Sequence, residues 1–271
     1  MFLNLNGVEY YVEVHGKGEP LLLLHGFTGS GKDWHPFIEQ WKTDFQLIVV
    51  DIIGHGKTEQ PADHARYSIE AVANDLVEML NLLNINHTSI LGYSMGGRLA
   101  LTFTVLFQER VRALILESSS PGLKTNEEQE DRKTKDHSLA DKIEKGGIEA
   151  FVDFWERIPL FASQATTLPP DNRESLRKAR LQNQPLGLAN SLRGMGTGEQ
   201  PSWWSRLKEL TIPVLLLAGE WDEKFCNINK SMNVQLNNSK FVIVNDAGHA
   251  IHMEQPSIFG KIIIDYLKDN L

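Results

Sequence analysis

Six short apolar runs, each closed by Gly, Asp or Ser, constrain the fold more than any other feature. They are "PLLLLHG" (20–26), "FQLIVVDIIGHG" (45–56), "TSILGYS" (88–94), "VRALILESS" (111–119), "IPVLLLAGEWD" (212–222) and "KFVIVNDAGH" (240–249). Unbroken apolarity over four to six residues is what strands buried on both faces require. Helical periodicity lies between the runs. In "SIEAVANDLVEMLNLL", Ile69, Val72, Ala73, Leu76, Leu80 and Leu83 share one helix face, and Ser68 is the candidate N-cap. The segment from Ser94 to Phe107 predicts a strand-to-helix turn, then a helix packed through Leu99, Leu101, Val105 and Leu106. From Pro256 onward the pattern predicts a final amphipathic helix. Strands alternating with helices predict an α/β protein with a mostly parallel sheet flanked by helices. The N-terminal stretch predicts a hairpin of two short strands turning at Asn6-Gly7.

The section from Ser119 to Ser205 differs. It lacks strand-like runs, carries many charges, and its helical stretches are interrupted by "PGL", "GG", "IP", "LPP", "QPLG" and "RGMGTG". It predicts a helical cap (119–205) inserted in a core made of 1–118 and 206–271, the whole being one structural unit. The formal net charge of −8 argues against a general nucleic-acid binder or a binder of anionic membranes. Any positive site must be local. Cys226 is the single cysteine, which excludes an intrachain disulfide and predicts an inert thiol. The first twenty residues lack a basic segment followed by an apolar one, and no apolar run approaches the ~18 residues of a membrane span. A reducing cytoplasm is the expected location.

The chemistry concentrates at "GYSMG" (92–96), a G-x-S-x-G pattern between a predicted strand and a predicted helix. Glycines around the serine permit a sharp turn that presents its hydroxyl at a helix N-terminus. A serine hydroxyl is a weak nucleophile and base at neutral pH. It needs a histidine to take its proton and a carboxylate to orient that histidine. Asp222 follows one strand, in "AGEWD", and His249 follows the last, in "AGHAIH". The order Ser94, Asp222, His249 is that of an α/β-hydrolase fold. "HGFTGS" (25–30) follows the first long strand, so the backbone N–H groups of Phe27 and Met95 are the candidate oxyanion hole. Two alternatives stay open: Glu117 as the acid and His252 as the histidine. "GHGKT" (54–58) is no phosphate loop, because a Walker A pattern needs glycine where Asp51 stands. His25, His35, His55 and His64 have no metal-ligand spacing, and no metal site is expected.

Arg98 is the odd residue. It lies in the first turn of the predicted helix, where a cation opposes the dipole at a cost of about 0.3–1 kcal/mol. It shares a helix face with Ser94. Either it awaits a carboxylate beside the serine, or it is a surface arginine paired with an acid such as Glu117.

Core and cap together resemble the 2-succinyl-6-hydroxy-2,4-cyclohexadiene-1-carboxylate synthases of menaquinone biosynthesis. The resemblance rests on "HGFTGSGKDW" (25–34), "GYSMGGRLAL" (92–101), "SSSPGLKTNEEQEDR" (118–132), "DFWERIPLFAS" (153–163), "RKARLQNQ" (177–184), "GEWDEKF" (219–225) and "AGHAIHMEQP" (247–256). The hydrolase motifs alone would not select this family. The arginine after "SMGG", the arginine nine residues beyond the leucine of "PGL", and "GE-x-D-x-KF" do. The chain departs at "DIIGHG", where many relatives carry Leu-Pro, which affects a loop and no catalytic position. The resemblance implies a triad of Ser94, Asp222 and His249. It also implies a substrate site of Tyr93, Arg98, Arg132, Trp155 and Arg180, of which Arg180 competes with Arg173 and Arg177. The implied reaction eliminates pyruvate from a small polycarboxylate, without metal or organic cofactor, and the implied partner is that small molecule. A generic serine hydrolase and a non-catalytic ligand sensor are the rival readings.

Overall fold

The computed structural model describes residues 1–271. The six apolar runs become β3 (Glu19–Leu24), β4 (Phe45–Val50), β5 (Thr88–Tyr93), β6 (Val111–Glu117), β7 (Val214–Gly219) and β8 (Ser239–Val244), preceded by β1 (Phe2–Leu5) and β2 (Val8–His15). They form one sheet in the order β1-β2-β4-β3-β5-β6-β7-β8. Strands β4, β3, β5, β6, β7 and β8 run parallel, while β1 and β2 pair antiparallel at one edge. The hairpin turns at Asn6 (φ 50) and Gly7 (φ 87), the two positive φ values that a tight turn between twisted strands needs.

Alternate residues of the central strands feed two different cores. Leu22, Leu24, Ile48, Val50, Ile90 and Leu114 pack with helices α2 (Ile69–Leu82) and α3 (Met95–Leu106) on one face. Leu21, Leu23, Leu47, Val49, Leu91 and Ile115 pack on the other with α1 (His35–Trp41) and α10 (Pro256–Asn270). Each such leucine is worth about 1.5–3 kcal/mol when removed from water. This two-sided demand explains the absence of polar alternation in these strands. Two details differ from expectation. Ser68 stands at the N-cap of α2, but its side chain makes no cap hydrogen bond. Leu106 ends α3 exposed, because the chain turns away there.

Between β6 and β7 the chain forms no strand. It forms α4 (Asn126–Trp155), α5 (Gln164–Thr167), α6 (Pro170–Leu181) and α7 (Pro185–Met195). Helix α4 opens on a capping box, Thr125 with Glu128. It is interrupted at Gly147, whose φ of 76° and ψ of 176° only glycine adopts freely. These helices share a small core of Ala140, Ile143, Phe151, Val152, Leu188, Ala189 and Leu192. Trp203 fastens them to α3, its indole N–H donating to Thr102 Oγ1 (2.9 Å), while the indole N–H of Trp204 ties the end of the insertion to its start at the Gly122 carbonyl (2.9 Å). After β7 come α8 (Glu223–Gln235) and, following β8, α9 (Ile251–Glu254). Cys226 is buried on α8 beside the Gly219 carbonyl, and burial pushes its thiol pKa up. No helix is long and apolar enough to cross a membrane.

Candidate active site

Ser94 sits between β5 and α3 with φ 49° and ψ −105°, outside the regions a serine normally occupies. The turn that strains it is built from close contacts. A Cβ on Gly92 would collide with the Gly96 carbonyl, and one on Gly96 with the carbonyls of Leu24 and His25. The Ser94 N–H donates to the Glu117 carbonyl (2.8 Å), which fixes the turn to the end of β6. Strain of this kind costs of order 1–3 kcal/mol and persists where the surroundings enforce it.

The ends of β5, β7 and β8 bring three side chains together. The Ser94 hydroxyl donates to His249 Nε2 at 3.0 Å, and His249 Nδ1–H donates to Asp222 Oδ2 at 2.6 Å. Asp222 and His249 are buried, and Phe225 and Phe161 lie against the imidazole at centroid distances of 4.8 and 6.1 Å. The alternative acid is accounted for elsewhere. Glu117 is fully buried and receives both the backbone N–H (3.0 Å) and Nδ1 (2.9 Å) of His252. Burial alone would push the His252 imidazole down, but the charge and hydrogen bond of Glu117 reverse this and raise it. The raised value means that the pair stabilises the fold most fully below the ordinary histidine range, with that part lost as pH climbs through the folded-state value. Glu117→Gln is expected to cost about 3–5 kcal/mol in urea unfolding, since it strands a buried imidazolium. The difference from wild type should narrow toward alkaline pH; a difference under 1 kcal/mol throughout would contradict this account.

The loop after β3 is set by two neutral histidines. Burial lowers His25 to about 4, where it accepts the Ile52 N–H on Nε2 (2.9 Å) and donates from Nδ1 to the Gly26 carbonyl (2.8 Å). Burial and neighbouring His25 lower His55 to about 3, and its ring meets Phe27 at 5.7 Å. The backbone N–H of Phe27 has no backbone acceptor, and Met95 begins α3, where helix N–H groups have no partner within the helix. Asp51 receives the N–H groups of Gly31 (2.7 Å) and Lys57 (2.8 Å), so a carboxylate holds the "GHGKT" loop. No group of three or more His, Cys, Asp or Glu side chains is placed to hold a metal ion.

A cavity of about 400 Å³ opens beside Ser94 and His249, between the sheet and helices α4 and α7. Tyr93, Phe27, Met95, Arg98, Arg132 and Trp155 line it. Arg98 has no carboxylate partner. Its Nη1 donates to the Met195 carbonyl (2.8 Å) and to Gln200 Oε1 (3.0 Å), both neutral acceptors. Burial, then the charge of Arg132, brings its pKa down to about 10. Arg132 is held by Asp136 one turn along α4 (2.8 Å). Two lysines that sequence reasoning missed, Lys124 and Lys224, also line the cavity. Burial and the charge of Arg132 lower Lys224 in turn. Four cations thus share one small space with Glu128 as the acid on its wall, an arrangement that an anion would relieve. Arg180 is placed differently. It is buried behind Phe161, 5.0 Å from that ring and 3.7 Å from Glu156, and does not line this cavity.

Comparison with known proteins follows the same lines. Residues 19–256 match the alpha/beta hydrolase fold family. A Bacillus subtilis (strain 168) protein provisionally named 2-succinyl-6-hydroxy-2,4-cyclohexadiene-1-carboxylate synthase is 49% identical over 97% of this chain and 96% of its own. The Citrobacter koseri synthase of that name is 31% identical over 89% of this chain and 90% of its own. The solved structure of MenH from S. aureus has a TM-score of 0.92 and 36% identity, covering 96% of this chain and 98% of that one. A Thermogutta terrifontis esterase, solved with malate bound, has a TM-score of 0.86 and 28% identity over 99% and 98%. The backbone alone therefore does not separate a synthase from an esterase.

Proposed function

Because the chain belongs to the alpha/beta hydrolase fold family and, within it, to the 2-succinyl-6-hydroxy-2,4-cyclohexadiene-1-carboxylate synthases, we propose that it is a carbon–oxygen lyase of menaquinone biosynthesis. It eliminates pyruvate from 2-succinyl-5-enolpyruvyl-6-hydroxy-3-cyclohexene-1-carboxylate, leaving 2-succinyl-6-hydroxy-2,4-cyclohexadiene-1-carboxylate. The observation that carries this reading is Arg98, a cation without a carboxylate partner, in the same cavity as the Ser94–His249–Asp222 relay.

The substrate has a ketone beside an acidic ring C–H and bears three carboxylates. Arg98 and Arg132 bind carboxylates, with Lys124 and Lys224 adding charge and Tyr93 and Trp155 packing on the ring. Ser94 passes its proton to His249 Nε2 and its oxygen takes the ring proton. Asp222 stabilises the resulting imidazolium. Negative charge builds on the ketone oxygen, where the Phe27 and Met95 N–H groups receive it; a lost donor of this type costs about 2.7–4 kcal/mol in hydrolases. The electron pair then shifts through the ring double bond and breaks the C–O bond to the enolpyruvyl group. The departing enolpyruvate gains a proton from the imidazolium side and becomes pyruvate. The triad abstracts a proton, and no acyl-enzyme forms. Arg180 would reach a carboxylate only if Phe161 moved aside.

The purified protein, given the cyclohexene substrate and a panel of small esters, should release pyruvate rapidly and cleave esters weakly. The reverse pattern would favour an esterase on the same triad.

A further inference from the structure

One carboxylate holds the His249 loop from both sides. Glu254 closes α9, is buried, and takes no part in the proton transfers above. Its Oε2 accepts the Gly248 N–H at 2.9 Å, and its Oε1 accepts the Ala250 N–H at 3.2 Å. The N–H groups of the two residues flanking His249 therefore end on a single side chain. A third donor arrives from the cap. The Thr167 hydroxyl, at the end of α5, lies 3.1 Å from Glu254 Oε2 and shares its proton with the Ser163 carbonyl at 2.9 Å. Ser163 also packs on the loop itself, where a Cβ on Gly248 would collide with its side chain.

We propose that Glu254 is the positioning residue for His249, and that Thr167 transmits the seating of the cap to it. The proposal rests on His249 being the group that takes the Ser94 proton. His249 lies on a loop between β8 and α9, so no helix or strand hydrogen bonds fix its backbone. Hydrogen bonds from its neighbours' N–H groups to a carboxylate are charge-assisted and stronger than those to a neutral acceptor. They set the imidazole 3.0 Å from the Ser94 hydroxyl. A displacement of about 1 Å in such a relay costs on the order of a hundredfold in rate. Because Thr167 shares the Oε2 atom with Gly248, a shift of α5 changes what that N–H receives.

The test measures pyruvate release by Glu254→Gln, Thr167→Val, Thr167→Ser and the Glu254→Gln/Thr167→Val pair, with Ser94→Ala as control. Glutamine keeps one acceptor and loses the other, so kcat should fall about tenfold to a hundredfold with KM within about twofold. The downfield proton resonance of the His249–Asp222 bond should weaken or vanish. Thr167→Val should lower kcat severalfold, Thr167→Ser should restore it, and the double variant should be no slower than Glu254→Gln alone. If Glu254→Gln does not fold, the Thr167 pair carries the test, with loss in valine and recovery in serine as the expected result. Unchanged kcat in Glu254→Gln, additive effects in the double variant, or a loss confined to KM would overturn the proposal. Retained pyruvate release by Ser94→Ala would instead overturn the assignment of the base.

Discussion

Ser94→Ala should lower the kcat for pyruvate release by about 10²–10⁴-fold, the usual worth of a positioned general base. KM should stay nearly unchanged. The reason is geometric. Ser94 and His249 both line the cavity, and without the hydroxyl His249 Nε2 stands one hydrogen-bond length (3.0 Å) further from the ring proton. The carboxylate contacts lie elsewhere in the cavity, so binding survives. Alanine keeps the Cβ, and the strained turn is held by Gly92, Gly96 and the Glu117 carbonyl, so the fold should survive too. Rapid kinetics with the cyclohexene substrate, alongside calorimetric binding of the product, separate the two effects. Activity within tenfold of wild type would mean that another group removes the proton. A sensor on this scaffold would keep its binding and lack turnover in the wild type as well.

The second large effect is expected at Arg98. Arg98→Ala should cut kcat/KM for the tri-anionic substrate by about 2–5 kcal/mol, or roughly 30- to 5,000-fold. Slow cleavage of a neutral aryl ester should stay nearly constant, because that substrate has nothing for the guanidinium to bind. Arg98→Lys should recover only part, since an ammonium lacks the planar fork that grips a carboxylate. Equal loss on both substrates would make Arg98 a structural residue, tied to the Met195 carbonyl and Gln200. Its position also answers the helix-dipole problem. Those two acceptors come from the end of α7 and the segment after it and offset the first-turn penalty, yet neither puts a carboxylate in contact with the guanidinium.

What could be read from the sequence follows from how local each signal is. The strand runs and the Ser94 turn are local: a few consecutive residues state the chemistry and the backbone shape together. The order of Ser94, Asp222 and His249 adds a topological rule, and the geometry then brings the three within hydrogen-bond reach. Arg98 was visible as an anomaly, but its neutral acceptors were not, because Met195 and Gln200 approach from nearly a hundred residues away. Arg180 shows the reverse. Residue type matched a pattern, while the packing of α6 against Phe161 decides which side of the ring the guanidinium occupies. Lys124 lies in an irregular segment and carried no periodic signal. Lys224 stood inside "GEWDEKF", two residues past Asp222, and position relative to the acid was the clue that could have found it. Glu254 carries no signal of its own in the sequence, and only the fold reveals that the backbone N–H groups on either side of His249, those of Gly248 and Ala250, converge on it.

The backbone of a single glycine shapes the cap wall of this cavity. Arg132 and Trp155 both line it, although they stand near opposite ends of α4. Along an unbroken helix, at about 1.5 Å per residue, roughly 35 Å would separate them. Both side chains nonetheless line one cavity of about 400 Å³. The break at Gly147 divides the helix into two arms, one bearing a cation and the other an aromatic wall, and a Cβ there would meet no neighbouring atom. The constraint is therefore purely on the backbone. A change of side chain at the tip of either arm therefore alters the wall of the cavity without touching the sheet that holds the serine.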